Sequence, residues 1–137
     1  MPQNRHQGQE GVDPAPLGTP LHFAFSGKTA SNRFLKAAMT ERLSSWDPVD
    51  AERRGVPSAE LINVYRRWGD GGYGLILTGN VMIATDQLEA AGNAIIPRDA
   101  PFEGSRFERF RALATAAKAH GSMVAMQLSH PGRQVGS

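Results

Sequence analysis

The sequence predicts an α/β fold, a parallel sheet that forms part of a closed eight-stranded β/α barrel. Three observations carry that expectation. First, the apolar runs "RFLKAAM" (33–39), "YGLILTG" (73–79) and "SMVAMQL" (122–128) are too short for stable helices, and the last two are bounded by glycine. Second, amphipathic helical patterns lie between them, and buried strands alternating with helices pair in parallel through right-handed crossovers. Third, each strand-to-strand step takes roughly 40–50 residues, whereas a complete barrel runs to about 250. Three strands in 137 residues, with no sign of a fourth, describe the first part of a barrel with two intervening helices.

Taken in order, residues 1–20, "MPQNRHQGQEGVDPAPLGTP", are polar and rich in Pro and Gly, as a mobile arm would be. They also lack the apolar core of a signal peptide. "LHFAFSGKT" (21–29) reads as a hairpin strand and turn preceding the first barrel strand. "ERLSSWD" (41–47) is the loop after that strand, with Trp46 packing it down.

In "SAELINVYRRW" (58–68), Leu61, Ile62, Tyr65 and Trp68 share one helical face. Pro57 and Ser58 start that helix and "GDGG" stops it. The second strand continues into "NVMIA". In residues 105–120, Phe107, Phe110, Leu113, Ala114 and Ala117 repeat the helical spacing. Ser105 and Glu108 have the spacing of a capping box, and Gly121 stands where a left-handed C-terminal cap belongs. Residues 21–137 are therefore expected to form the barrel portion.

Composition narrows the function. Fifteen Lys+Arg against thirteen Asp+Glu leave a net charge of +2, and the basic residues are interspersed with acids, as in "RFERFR". That is a solvated surface rather than a stripe for tracking phosphates, so no nucleic-acid partner is expected. The absence of cysteine excludes disulfides, thiolate metal sites and a Cys nucleophile. No window approaches the ~18 apolar residues of a membrane span, so a cytoplasmic protein without a membrane partner is expected.

Ligands of parallel α/β proteins bind at the carboxyl ends of the strands. Those ends read "AAMTER", "LTGN" and "QLSHPGR", gathering Thr40, Asn80, Gln127 and His130 at one rim. A strand must also end in something polar, and spacing alone does not choose between ligand site and plain solvation. "RRWGDGGYG" is no dinucleotide loop, because it follows a helix and opens a strand instead of the reverse. The histidines His6, His22, His120 and His130 have no metal spacing. His120, at a helix end, favours the dipole's negative pole.

Together, "NRFLKAAMTERLSS", "ELINVYRRWGDGGYGLILTGNVMI", "EAAGN" and "AHGSMVAMQLSHPGRQ" resemble the N-terminal part of the Old Yellow Enzyme family. The likeness runs from about Leu21 onward. It implies a TIM barrel and an FMN-dependent oxidoreductase that takes its electrons from NAD(P)H. It also implies that Ala37, Ala38, Met39 and Thr40 run along the flavin, Met39 mainly through backbone and packing.

Thr40 matches the position whose side chain bonds the flavin carbonyl beside N5, which would tune the redox potential. Asn80 matches a place where backbone approaches the flavin. Gln127 matches a glutamine whose amide faces the N–H and C=O of the pyrimidine edge. His130 and Arg133 share the last motif, where ordering the loop is expected over chemistry. Arg42 lies where relatives can contact substrate, and Ser31 replaces a proline often found before "NR".

The family's substrate-activating His/Asn pair and phosphate-binding loops lie farther along the chain. The expectation is an N-terminal piece of an FMN-dependent oxidoreductase, with no catalytic residue of its own and little turnover alone. In the complete enzyme a small-molecule acceptor, commonly an α,β-unsaturated carbonyl, would take the hydride. The rival is a truncated, non-catalytic product that at most associates with another protein through exposed sheet edges.

Overall fold

The computed structural model describes residues 11–135. The first ten residues of the expected arm, His6 among them, lie outside the described residues. Residues 11–20 are exposed, and Ala15–Gly18 form a 3-10 turn. The Leu17 carbonyl accepts from the Arg33 N–H at 2.9 Å, and Thr19 Oγ1 accepts from Arg33 Nε at 3.0 Å.

The hairpin is formed by β1 (Leu21–Phe23) and β2 (Lys28–Ala30), antiparallel with Leu21 opposite Ala30. The main sheet contains β3 (Leu35–Lys36), β4 (Leu75–Met82), β5 (Ala94–Ile95) and β6 (Met123–Ser129). All of its pairings are parallel. Leu75 pairs with both Leu35 and Met123, and Met82 pairs with both Ile95 and Ser129. A strand has only two edges, so β3 and β5 share one edge of β4, and β6 occupies the other.

Three sequence expectations need correction. The first barrel strand is only Leu35–Lys36, because Ala37–Thr40 runs on outside the sheet. A further strand exists, β5, whose two paired residues are too few to leave a periodic signal. The helix α2 (Gly104–Lys118) starts one residue early, so Ser105 sits inside its first turn. Its N-cap is Glu103 without a side-chain bond, and the capping box does not form. Gly121 does take the left-handed conformation, φ +87°, and its N–H donates to the Lys118 carbonyl at 3.0 Å.

The helix α1 (Ala59–Asp70) begins as expected, with Ser58 Oγ accepting from the Leu61 N–H at 3.1 Å. It buries Leu61 and Tyr65 against Ile76 of β4 and Leu113 and Ala117 of α2. Each such aliphatic side chain contributes about 1.5–3 kcal/mol by leaving water. The two helices meet at Gly69, where an added Cβ would stand 2.8 Å from the Ala117 carbonyl oxygen. No helix of the described residues is long and apolar enough to cross a membrane.

Candidate functional site

Strand register sorts the sheet into two faces, since paired residues of parallel neighbours point the same way. Lys36, Ile76 and Val124 face the helices. Leu35, Leu75, Leu77, Met123 and Ala125 face away. Beyond Leu77 the ladder slips: Leu77 pairs with Ala125, and the next pair is Asn80 with Gln127. Three steps on β4 thus match two on β6, which is a β-bulge of one extra residue. A regular ladder would set Gly79 opposite Gln127. The bulge sets Asn80 there, so the Asn80 and Gln127 side chains share the face away from the helices.

The bulge leaves amides to satisfy, and side chains do it. Gly79 N–H donates to Tyr65 Oη at 3.0 Å and to Glu41 Oε1 at 3.2 Å. Tyr65 Oη in turn donates to Glu41 Oε1 at 2.5 Å. Gln127 N–H donates to Thr78 Oγ1 at 3.0 Å, and Thr78 Oγ1 donates to the Gly79 carbonyl at 2.9 Å. Tyr65 is only 2% exposed. Burial, then the bond to Glu41 and its charge, push the phenol far above the usual tyrosine range.

Gly79 also admits the first rim segment. A Cβ there would lie within 2.3 Å of the Met39 carbonyl oxygen and closer still to Glu41 Oε2. Met39 and Glu41 flank Thr40, so Thr40 lies alongside the bulge that orients Asn80 and Gln127. Thr40 is half-buried, whereas Ala37, Ala38 and Met39 are exposed. The Gln127 Oε1 atom is buried and has no hydrogen-bond partner among the described residues. Such an acceptor is costly unless something donates to it.

His130 orders its loop: its Nδ1 accepts from the Gly132 N–H at 3.0 Å. Arg133 is exposed in the 3-10 turn Gly132–Gln134. Arg42 has φ +55° and pairs with Glu89 Oε1 at 2.5 Å, tying the loop after β3 to the loop after β4. Trp46 is half-exposed with the Arg54 guanidinium stacked 4.5 Å from its ring centroid, and the Asp47 carboxylate accepts from the Val49 and Asp50 N–H groups. The "NR" motif is an anchor. Asn32 Oδ1 accepts from the Gly74 and Phe34 N–H groups at 2.9 and 3.0 Å, and its Nδ2 donates to the Gly72 carbonyl at 2.8 Å.

Sequence reasoning missed Glu41, Thr78 and the hydroxyl of Tyr65, which it placed on a packing face. It also missed Lys36, a buried cation 3.7 Å from the Trp68 ring centroid that donates to the Leu77 carbonyl at 3.2 Å. Burial lowers the pKa of Lys36 against the raising effect of Glu41. A cavity of about 190 Å³ lined by Glu41, Tyr65, Thr78, Leu113 and Val124 lies on the helix side of β4, behind the rim. Among the described residues no three His, Asp or Glu side chains gather as a metal site.

A parallel α/β unit with its polar groups gathered where the strands end belongs to the class that seats ligands at that edge. Comparison with known proteins makes the class specific. The chain is 54% identical over 128 residues to the NADH-dependent flavin oxidoreductase nadA of Aspergillus parasiticus, covering 93% of this chain and 29% of that protein. It is 32% identical over 108 residues to the NADH-dependent flavin oxidoreductase iliE of Hypocrea jecorina, covering 79% of this chain and 25% of that one. No family model matches.

The solved structure of the old yellow enzyme from Trypanosoma cruzi overlays with a TM-score of 0.69 at 23% identity, over 88% of this chain and 28% of that one, a likeness of fold. The chain is thus similar in sequence to NADH-dependent flavin oxidoreductases and in fold to an old yellow enzyme, the two likenesses that its strand-end motifs predict. It spans less than a third of the curated relatives it matches.

Proposed function

We propose that this chain builds one wall of the FMN site of an NAD(P)H-dependent oxidoreductase, on the opening strands of a TIM barrel. The buried, unpartnered Gln127 Oε1 carries the proposal. A flavin pyrimidine edge presents an N–H beside a C=O, and the Gln127 amide offers the matching acceptor and donor. The residues present therefore fit the group.

Gln127 holds the pyrimidine edge, and Asn80, its neighbour in register, lines the same approach. Thr40 supplies a hydroxyl donor that favours an electron-rich ring. Ala37, Ala38 and Met39, exposed along the stretch before it, supply a backbone and apolar track. When bound, FMN would supply the hydride-transfer chemistry between NAD(P)H and a small electron-poor acceptor. This chain's residues bind and orient, and none of them moves a proton. Low turnover of the 137 residues alone is part of the proposal, since they match 29% of nadA.

The test is to titrate the purified protein with FMN and follow flavin absorbance and fluorescence. Saturable binding that Gln127→Ala and Thr40→Ala weaken is expected. Binding indifferent to both substitutions would overturn the assignment of the wall.

A further inference from the structure

We infer that Glu41 and Tyr65 are positioning residues that lock the Gly79 bulge and thereby hold Asn80 and Gln127 facing the flavin. The inference rests on the flavin reading of the rim and assigns a task to two side chains that line the cavity on the helix side of β4.

The argument begins with register. Side chains alternate along a strand, so losing the one-residue bulge would turn every β4 residue beyond it to the other face. Gly79 would then oppose Gln127, Asn80 would turn toward the helices, and Val81 would take its place at the rim. Sheets adopt the regular ladder unless something stabilises the irregular one. Here the extra residue's N–H has left the ladder and finds two acceptors, Tyr65 Oη and Glu41 Oε1, themselves joined at 2.5 Å. Hydrogen bonds involving a charged acceptor are worth more than neutral ones, and a buried amide deprived of acceptors is penalised further.

The same constellation reaches all three rim strands. Glu41 follows Thr40 directly in sequence, Gly79 precedes Asn80, and the Thr78 hydroxyl joins the Gly79 carbonyl to the Gln127 N–H. The steric fit is closed around it: no side chain is tolerated at Gly79 between the Met39 carbonyl and Glu41. A Tyr65 that served the core alone would need only its ring, which packs edge-on against Trp68 with centroids 4.9 Å apart. The hydroxyl serves the bulge.

The experiment measures FMN affinity and amide hydrogen exchange for the wild-type protein and for Tyr65→Phe, Glu41→Gln and Glu41→Ala. Ser58→Ala, which loses the cap on the Leu61 N–H and no bond to the bulge, controls for general destabilisation. Expected are a loss of FMN affinity of about tenfold or more in Tyr65→Phe and Glu41→Ala, the scale of a lost charged hydrogen bond, and a smaller loss in Glu41→Gln, which keeps an acceptor. Protection of the Gly79 and Gln127 amides should fall in the same variants without flavin present, while Ser58→Ala keeps wild-type affinity.

If the wild type binds FMN while Tyr65→Phe and Glu41→Ala match its affinity and amide protection, the positioning role is overturned and the flavin site stands. If the wild type takes up no FMN, the flavin reading falls and this inference with it.

Discussion

The two faces of β4 differ in what completes them. On the helix side Ile76 is fully buried among Leu61, Tyr65, Leu113 and Ala117, and apolar area removed from water accounts for the contacts. On the opposite face Leu35 is 52% exposed, and Gln127 Oε1 is buried without a partner. One face is finished by this chain's own helices. The other buries Met82 but leaves Leu35 open and, among the described residues, the Gln127 Oε1 acceptor without a donor. The difference separates residues that fold the sheet from residues that use it.

Ile76→Ala should break the finished face most severely. It removes a side chain with no exposed surface and leaves a cavity between sheet and helices, so a loss of about 2–5 kcal/mol is expected in urea unfolding. A loss under about 1 kcal/mol would mean that the two helices do not depend on that contact.

Gly69→Ala tests the same face at the helix crossing. Its Cβ would meet the Ala117 carbonyl, which is backbone and cannot swing aside. A cost of about 1–3 kcal/mol is expected, with rim properties unchanged.

Much of this finished face is legible in the sequence. Leu61, Tyr65, Leu113 and Ala117 stand at helical spacing, and each is buried where that spacing points. The hairpin is equally readable from "LHFAFSGKT". The boundary of the first strand is not, because Ala37–Thr40 leaves the sheet to lie against Gly79, a tertiary contact with no local trace. The bulge is illegible for the same reason. Its requirement is a glycine flanked by polar residues, which also describes an ordinary strand end, and its acceptors come from 14 and 38 residues away. β5 is too short to show a period. The strand ends alone bring Thr40, Asn80 and Gln127 to one rim; only the family resemblance gives them a flavin to face.

Tyr65 joins the two faces, with its ring in the core and its hydroxyl at the bulge, and pH separates the two contributions. Its folded pKa lies above the ordinary 10.0 because of burial first and Glu41 second. The unfolded chain therefore releases the proton first. The stability this provides is complete below pH 10 and is lost as the pH rises beyond it, by at most about 1.4 kcal/mol per pH unit. Urea midpoints between pH 9 and 11 should fall less steeply for Tyr65→Phe than for the wild type. Equal slopes would mean that the phenol is not held protonated by the fold.

The smallest effect on stability is expected at the unfinished face, and it has the opposite sign. Gln127→Leu keeps a branched side chain, one atom shorter, and removes an acceptor that is buried without a donor among the described residues. Because an unsatisfied buried polar atom costs free energy, the substitution should raise stability by about 1 kcal/mol. It should also weaken FMN binding, since Leu offers nothing to the pyrimidine edge. A residue that lowers stability and raises affinity is one the fold keeps for its ligand. Should Gln127→Leu instead destabilise the protein and leave flavin binding intact, Gln127 would belong with Ile76 as a residue of the fold, and the contrast between the two faces of β4 would not hold.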